Sequence, residues 1–169
     1  MSSLMNANTV RADSRPPTHI RVVVHTLGPA TPTATLSDNH WSIYLRLAGD
    51  RSVRINMRAE YGNPAGILEW TAQAYDLTFS AIRYWDFPVT QGVTVGHVAQ
   101  LVYTLNRHKY DMSGGGSGCR YWVYVIMSDL AQQGYTAANA AAQLWPDLLY
   151  RYHTSNERKP LHMVQGEFL

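Results

Sequence analysis

The sequence has a single cysteine, Cys119, among its 169 residues. One thiol cannot form an internal disulfide, which fits a reducing compartment such as the cytoplasm. Residues 1–17 are polar and lack the apolar h-region of a secretory signal peptide. The longest unbroken apolar run, from Tyr121 to Met127, is far too short to span a membrane. These absences predict a soluble cytoplasmic protein without a membrane span.

Charge is also sparse, since 14 Lys and Arg residues stand against 12 Asp and Glu residues and the basic ones are spread out. Nucleic-acid-binding proteins usually carry a basic stripe, so we expect no nucleic-acid partner. The seven histidines show no His-x-His or His-x-x-x-His spacing, and no phosphate-binding Gly-x-x-x-x-Gly-Lys-Ser/Thr loop is present. We therefore predict neither a metal nor a cofactor. The sequence leaves the oligomeric state open.

Apolar and aromatic residues are abundant: 46% of the chain is hydrophobic, with five Trp and 11 Tyr. This content predicts one globular domain over residues 19–169, preceded by a disordered or arm-like segment over residues 1–18. The aromatic side chains either fill the core of this domain or line a cleft. The expected binding partner is a small-molecule substrate.

Strand patterns come first along the chain and helix patterns follow. Hydrophobic alternation and helical periodicity predict these elements: strands over 20–26, 39–47, 52–58, 67–77 and 79–87, and helices over 95–108, 119–133, 137–145 and 146–152. This order predicts an α+β fold, with an antiparallel sheet of about five strands followed by a C-terminal helical half.

The only cysteine lies where a glycine-rich loop, residues 114–118, meets an apolar helix. A helix start exposes free N–H groups and the positive end of the helix dipole, and both favour a thiolate. Cys119 is therefore a candidate nucleophile, and the N–H groups of Ser117, Gly118 and the helix start are candidates for an oxyanion cradle. The structural alternative is that Cys119 is a small buried hydrophobe.

A thiol nucleophile needs a base within hydrogen-bond reach and a polar group that orients the base. His40 opens the predicted hairpin and Asn56 lies near the end of its return strand. A turn at Gly49 and Asp50 places Asn56 opposite Ile43 or a neighbour, and a one-residue slip would move it to the face of His40. Both residues have structural alternatives, as a strand cap and as a strand-end residue.

These residues carry a resemblance. Three stretches resemble the circularly permuted NlpC/P60 group, which includes the lecithin:retinol acyltransferase-like enzymes. They are the Asn-His-Trp-Ser-Ile-Tyr-Leu strand from Asn39, the return strand through Val-Arg-Ile-Asn ending at Asn56, and the helix that begins at Cys119. The resemblance implies a papain-like fold with His40 as general base and Cys119 as nucleophile. Asn56 falls near the third polar position of that family.

The whole chain also resembles a group of small filamentous-fungal proteins that share residues 38–44 and 114–122. Proteins of this kind can be recruited to natural-product pathways, so this resemblance implies a biological context but no reaction.

Three functions follow from these residues. The first is a cysteine-dependent hydrolase or acyltransferase with a catalytic centre of Cys119, His40 and Asn56. The predicted substrate-binding residues are Tyr44, Ser117, Gly118, Tyr121 and Trp122. The second is a cyclase of fungal secondary metabolism, a pericyclase or Diels–Alderase, which needs an apolar aromatic pocket and a hydrogen-bond donor but no nucleophile. The third is a non-catalytic binding module.

Overall fold

A large antiparallel sheet dominates the computed structural model of the chain, which describes residues 2–29, 37–60, 62–75, 77–112 and 118–169. The strands of the described residues are β1 (Ser2–Met5), β2 (His19–Pro29), β3 (Ser37–Leu47), β4 (Arg51–Glu60), β5 (Asn63–Gln73), β6 (Ala81–Pro88), β7 (Tyr110–Asp111), β8 (Tyr150–Tyr152), β9 (Arg158–Pro160) and β10 (Glu167–Phe168). Eight of them form one sheet in the order β10-β7-β5-β4-β3-β2-β6, with β1 paired to β5, and β8 and β9 form a separate hairpin.

The central strands of this sheet have one apolar and one polar face, because successive side chains of a strand point to opposite sides. Ile43 lies opposite Ile55, Leu45 lies opposite Val53, and all four are fully buried in the apolar core. The intervening side chains form the other face, which we call the polar face: Arg21, His25, His40, Ser42, Tyr44, Arg46, Ser52, Arg54, Asn56, Arg58, Glu69 and Asp86.

Helices cover the apolar face. The described helices are α1 (Ala7–Arg11), α2 (Val95–Thr104), α3 (Cys119–Gln132) and α4 (Ala140–Leu144), followed by a 3-10 helix (Trp145–Leu149). In α3, Trp122, Val123, Ile126, Met127 and Leu130 recur at helical spacing and are all buried, which packs this helix against the sheet. No helix of the described residues combines the length and apolar character needed to cross a membrane.

The connection from β5 to β6 crosses the polar face, and we call its described residues, 74–75 and 77–80, the strap. At one end of the sheet Ser52 Oγ donates a hydrogen bond of 2.6 Å to the main-chain oxygen of Tyr75. At the other end the Thr26 N–H donates to the main-chain oxygen of Ser80, at 2.9 Å. The strap therefore passes over β4, β3 and β2 and contributes to the burial of the polar face.

The segment before β2 folds back onto the domain, and we call residues 2–18 the N-terminal arm. Met5 of β1 lies opposite Trp70 of β5, and Val10 of α1 is fully buried. The main-chain oxygens of Asp13 and Arg15 accept hydrogen bonds from the N–H groups of Gly96 and Val95, at 2.8 and 2.9 Å. The arm thus satisfies free N–H groups in the first turn of α2.

The predicted fold class, a papain-like domain of NlpC/P60 type with a five-stranded sheet and a C-terminal helical half, is wrong. The sheet takes strands from both ends of the chain, because β1 pairs with one end of β5 while β7, followed by β10, pairs with the other end of the same strand. The C-terminal half also contains the β8–β9 hairpin, and the helix predicted over 146–152 ends at Leu149. Strands of two to four residues are too short to carry a recognisable alternation, so the sequence pattern did not predict them.

Candidate functional site

The turn between β3 and β4 decides which face carries Asn56. Leu47 lies opposite Arg51, so Ala48, Gly49 and Asp50 form the turn, and both Gly49 and Asp50 have positive φ values of 76° and 56°. A turn of three residues shifts the pairing by one position relative to the two-residue turn expected at Gly49 and Asp50. This shift turns the side chain of Asn56 to the same face as His40.

His40 and Asn56 form a direct hydrogen bond between His40 Nε2 and Asn56 Oδ1. The amide oxygen can only accept, so Nε2 carries the proton and donates it. In a neutral imidazole the other ring nitrogen, Nδ1, then holds a lone pair. The pair therefore fixes the ring orientation and leaves Nδ1 as the basic atom.

The surroundings of His40 keep its ring neutral. Burial lowers the pKa of His40 below its ordinary value, the hydrogen bond to Asn56 opposes this shift, and the positive charge of Arg54 adds to it. A lowered pKa means that the imidazole is unprotonated at neutral pH. His40 has the protonation state that a general base requires.

Cys119 lies at the first position of α3 and is 4% exposed. Burial raises the pKa of its thiol, although a main-chain hydrogen bond from Trp41 and the positive charge of Arg120 oppose the shift. Trp41 is the residue after His40, so the sulfur contacts the main chain of the strand that carries the base. In the part of the chain that the structure describes, His40 and Cys119 share no hydrogen bond, because strand alternation directs His40 to the polar face.

Gly118 holds the start of α3 close to the preceding strand. Its carbonyl oxygen accepts a hydrogen bond of 2.7 Å from Tyr110 Oη, and its N–H donates to the main-chain oxygen of Met112, at 3.0 Å. A Cβ atom at this position would lie 2.6 Å from that Met112 oxygen. Gly118 is therefore needed for close approach. Ser117 and most of the predicted oxyanion cradle lie outside the described residues.

The other predicted substrate-binding residues are separated in the structure. Tyr44 is buried on the polar face, next to Ser42 and Arg54, whereas Tyr121 is half-buried in the first turn of α3. Trp122 is fully buried and its indole N–H donates a hydrogen bond of 2.8 Å to the main-chain oxygen of Arg107. Trp122 therefore lies in the core with its polar atom satisfied.

Sequence reasoning missed a second histidine on the polar face. His25 of β2 lies opposite His40, with 6.1 Å between the ring centroids. Its Nε2 lies 2.6 Å from Ser42 Oγ and its Nδ1 lies 2.9 Å from Ser80 Oγ of the strap. Burial lowers the pKa of His25 to about 3, helped by the positive charge of Arg54 and by the proximity of the second titratable imidazole, His40. The signal for this residue was its polar position at the end of a valine-rich strand.

No group of three metal-ligating side chains, counting His, Cys, Asp and Glu, comes together in the described ranges. Around Ser42, the polar face instead combines the two neutral imidazoles of His25 and His40, hydroxyl groups, the Asn56 amide and the Arg54 guanidinium. Such a set can move a proton, orient a polar substrate and bind a negative charge.

Comparison with known proteins places the chain in a family. It belongs to a family described as a domain of unknown function (DUF7770), whose model matches residues 20–169. No curated protein and no solved structure shows a significant match to the chain. The resemblances to the NlpC/P60 group and to fungal proteins therefore stay predictions, and any functional assignment has to come from the geometry of the site.

Proposed function

We propose that the chain is a cysteine-dependent hydrolase or acyltransferase that acts on a small acyl or amide substrate in a reducing compartment, the cytoplasm. Cys119 would be the nucleophile, His40 the general base and Asn56 the positioning residue. The observation that carries this proposal is the hydrogen bond from His40 Nε2 to Asn56 Oδ1. The residue that follows His40 on β3, Trp41, contacts the Cys119 thiol through its main-chain N–H.

The reaction would begin from a neutral thiol and a neutral imidazole. Cys119 Sγ attacks the substrate carbonyl carbon while its proton passes to His40 Nδ1. Free N–H groups in the first turn of α3 stabilise the oxyanion, and His40 returns the proton to the leaving group as the carbon–leaving-group bond breaks. Water or another acceptor then attacks the acyl-thioester, with His40 again as base. In the described chain His40 lies on the polar face and Cys119 lies in the apolar core, so this proton transfer requires that substrate binding shift the start of α3 relative to β3.

The raised pKa of Cys119 and the lowered pKa of His40 favour a resting thiol and a neutral imidazole over a thiolate–imidazolium pair. The thiol gains its nucleophilicity only when the proton leaves during attack. We therefore expect slow alkylation of the resting thiol at neutral pH but productive acylation by an activated ester.

The test is the formation of an acyl-enzyme from p-nitrophenyl acetate, followed by mass spectrometry of the intact chain. We expect one acetyl group on Cys119 of the native chain, none on Cys119→Ala, and an acylation rate about 10²–10⁴-fold lower in His40→Ala because the general base is lost. The exposed His162 supplies the matched control, since His162→Ala should acylate like the native chain. Unchanged acylation in His40→Ala, or full turnover by Cys119→Ala, would refute the proposal.

The cyclase hypothesis lacks a supporting observation of this kind, whereas the burial of Cys119 and its separation from His40 fit a non-catalytic binding module. Large aromatic side chains pack against each other in the core, as in the stacked pair Trp41 and Trp85 with ring centroids 5.4 Å apart. Beside β6, a pocket of about 320 Å³ has a lining that is largely polar and charged: Ile82, Arg83, Tyr152, His153, Asn156 and Glu157. A cyclase would need an apolar aromatic lining, which this pocket does not supply. The acylation test decides between the thiol mechanism and a binding module.

A further inference from the structure

The polar face carries four arginines, and three of them are ion-paired. Arg21 contacts Asp86 at 2.7 Å, Arg46 contacts the same carboxylate at 3.3 Å, and Arg58 pairs with Glu69. The fourth, Arg54, forms no ion pair within the described residues. It lies in the middle of β4, between Ser52 and Asn56 on the polar face.

The Arg54 guanidinium lies close to the candidate catalytic residues. The side chain is half-buried, and its Nε lies 3.4 Å from Ser42 Oγ, at the outer limit of a hydrogen bond. Its guanidinium carbon lies 5.9 Å from the centroid of the Tyr44 ring. The charge of Arg54 also lowers the pKa of both His25 and His40, so it faces the two imidazoles.

No carboxylate among the described residues offsets the positive charge of Arg54. Both histidines are neutral at pH 7, the nearby Ser42 and Tyr44 are uncharged, and Glu69 is held by Arg58. Withdrawing a charge from water without a counter-ion is unfavourable, and a bound anion would offset that cost. The terminal nitrogens of Arg54 offer two parallel N–H donors to such an anion.

We propose that Arg54, with Tyr44 and the Asn56-bound His40 beside it, is a binding site for the carboxylate of a small organic ligand. The carboxylate would accept two hydrogen bonds from the guanidinium, which is the preferred geometry of an arginine–carboxylate pair. The rest of the ligand would extend along the polar face toward His40.

A monoanionic carboxylate suits this site better than a phosphate. The site supplies one positive charge, because the neighbouring histidines are neutral and Arg21, Arg46 and Arg58 already have carboxylate partners. A phosphate monoester carries a charge near −2 at pH 7 and would need a second cation. This charge balance selects carboxylic acids as the ligand class.

This carboxylate site deepens the proposed function. It rests on that function only in naming the substrate as an acyl compound that also carries a carboxylate. Carboxylate binding itself does not require the Cys119 thiol. Binding that persists in Cys119→Ala while acylation is lost would support both proposals, and binding without any acylation in the native chain would refute only the thiol mechanism.

The experiment is a titration of the native chain with hexanoate at pH 7, followed by the NMR resonances of the His25 and His40 ring C–H groups. We expect saturable shifts of these resonances, and an upward shift of the pKa of His40 in the complex because the carboxylate offsets the Arg54 charge. Hexanamide, which has the same tail without the charge, should bind at least about tenfold more weakly. Hexyl phosphate should not bind more tightly than hexanoate.

Variants of the arginine decide the assignment. Arg54→Met should weaken hexanoate binding at least about tenfold, whereas Arg51→Met, an exposed arginine of the same strand, should leave the Kd unchanged. If Arg54→Met does not fold, Arg54→Lys replaces it and should bind several-fold more weakly, since an ammonium cannot present the parallel N–H pair. Unchanged binding in the folded Arg54 variant, equal binding of hexanamide, or tighter binding of hexyl phosphate would overturn the carboxylate site.

Discussion

At the scale of single residues, His25 has the most unusual environment on the polar face. It is 3% exposed, both ring nitrogens lie within hydrogen-bond distance of serine hydroxyls, and its pKa is lowered to about 3. The neutral imidazole is the form that this site stabilises. Protonation therefore acts against folding.

Stability should consequently fall as the solution becomes more acidic. In the unfolded chain a histidine binds a proton below about pH 6.5, whereas folded His25 stays neutral down to about pH 3. The unfolded state thus binds one more proton within this window, and the free energy of unfolding drops by about 1.4 kcal/mol per pH unit well inside it.

The measurement is urea unfolding of the native chain and His25→Gln at about pH 7 and about pH 5. Glutamine keeps a hydrogen-bonding side chain but does not titrate, so the variant should lose about 2 kcal/mol less stability between the two pH values. Equal losses in both chains would show that His25 does not supply this pH dependence.

The residue types of the candidate site could be predicted from the sequence, but their arrangement could not. His40 and Asn56 were selected by strand position, and their hydrogen bond depends on a single extra residue in the turn from Ala48 to Asp50. Turn length sets the register of a hairpin, and both two- and three-residue turns fit a Gly-Asp pair. Arg54 and His25 were missed because their significance lies in the neighbours that strand pairing gives them.

At the scale of elements, the start of α3 is a closely packed junction. A Cβ atom at Gly118 would meet the Met112 main-chain oxygen at 2.6 Å and Tyr110 Oη at 2.9 Å. Gly118→Ala should therefore push the first turn of α3 away from β7 and destabilise the fold by roughly 1–3 kcal/mol, the usual cost of an overpacked site.

Urea unfolding of Gly118→Ala checks this expectation, with Gly92→Asn as the control. Gly92 has a φ of 91°, a left-handed conformation that asparagine tolerates better than other side chains, and a Cβ atom there meets nothing within 4 Å. The control should lose less than about 1 kcal/mol. A Gly118→Ala chain as stable as the native chain would contradict the proposed close packing.

Long elements with a clear period were accessible to sequence reasoning, and short ones were not. The predicted helix over 119–133 corresponds to α3, Cys119–Gln132, because its apolar residues repeat at helical spacing. The strand predicted over 67–77 instead begins at Asn63 and ends at Gln73. Pro64 and Gly66 usually interrupt strands, yet Gly66 packs against Met57 and Met112 where a side chain would not fit.

At the scale of the whole molecule, the N-terminal arm is part of the folded domain. Residues 2–18 lie before the segment matched by the family model, 20–169, yet they add a strand to the sheet and bury Val10 completely. The sequence pattern did not reveal this role, since a short polar segment shows no amphipathic period and its packing depends on distant partners in β5 and α2.

A chain that begins at residue 19 should be less stable than the full chain and should unfold with a smaller urea m-value, because less surface is buried. Within the full chain, Val10→Ala should cost about 2 kcal/mol through the cavity it leaves. Leu4 lies in the same arm but is 73% exposed, so Leu4→Ala should change stability by less than about 0.5 kcal/mol. Equal unfolding midpoints for Val10→Ala and Leu4→Ala would show that the arm does not contribute.

The strap between β5 and β6 has a consequence for the order in which the sheet assembles. Strands β2, β3, β4 and β5 pair with their neighbours in sequence, whereas β6 returns to β2 across the whole sheet, with Phe87 opposite Ile20. Contacts between such distant residues carry a larger loop-closure cost and form more slowly than hairpin contacts. We therefore expect β6 to join the sheet after the hairpins of β2 to β5 have formed, so that the polar face stays open to water until the strap closes and His25 meets Ser80.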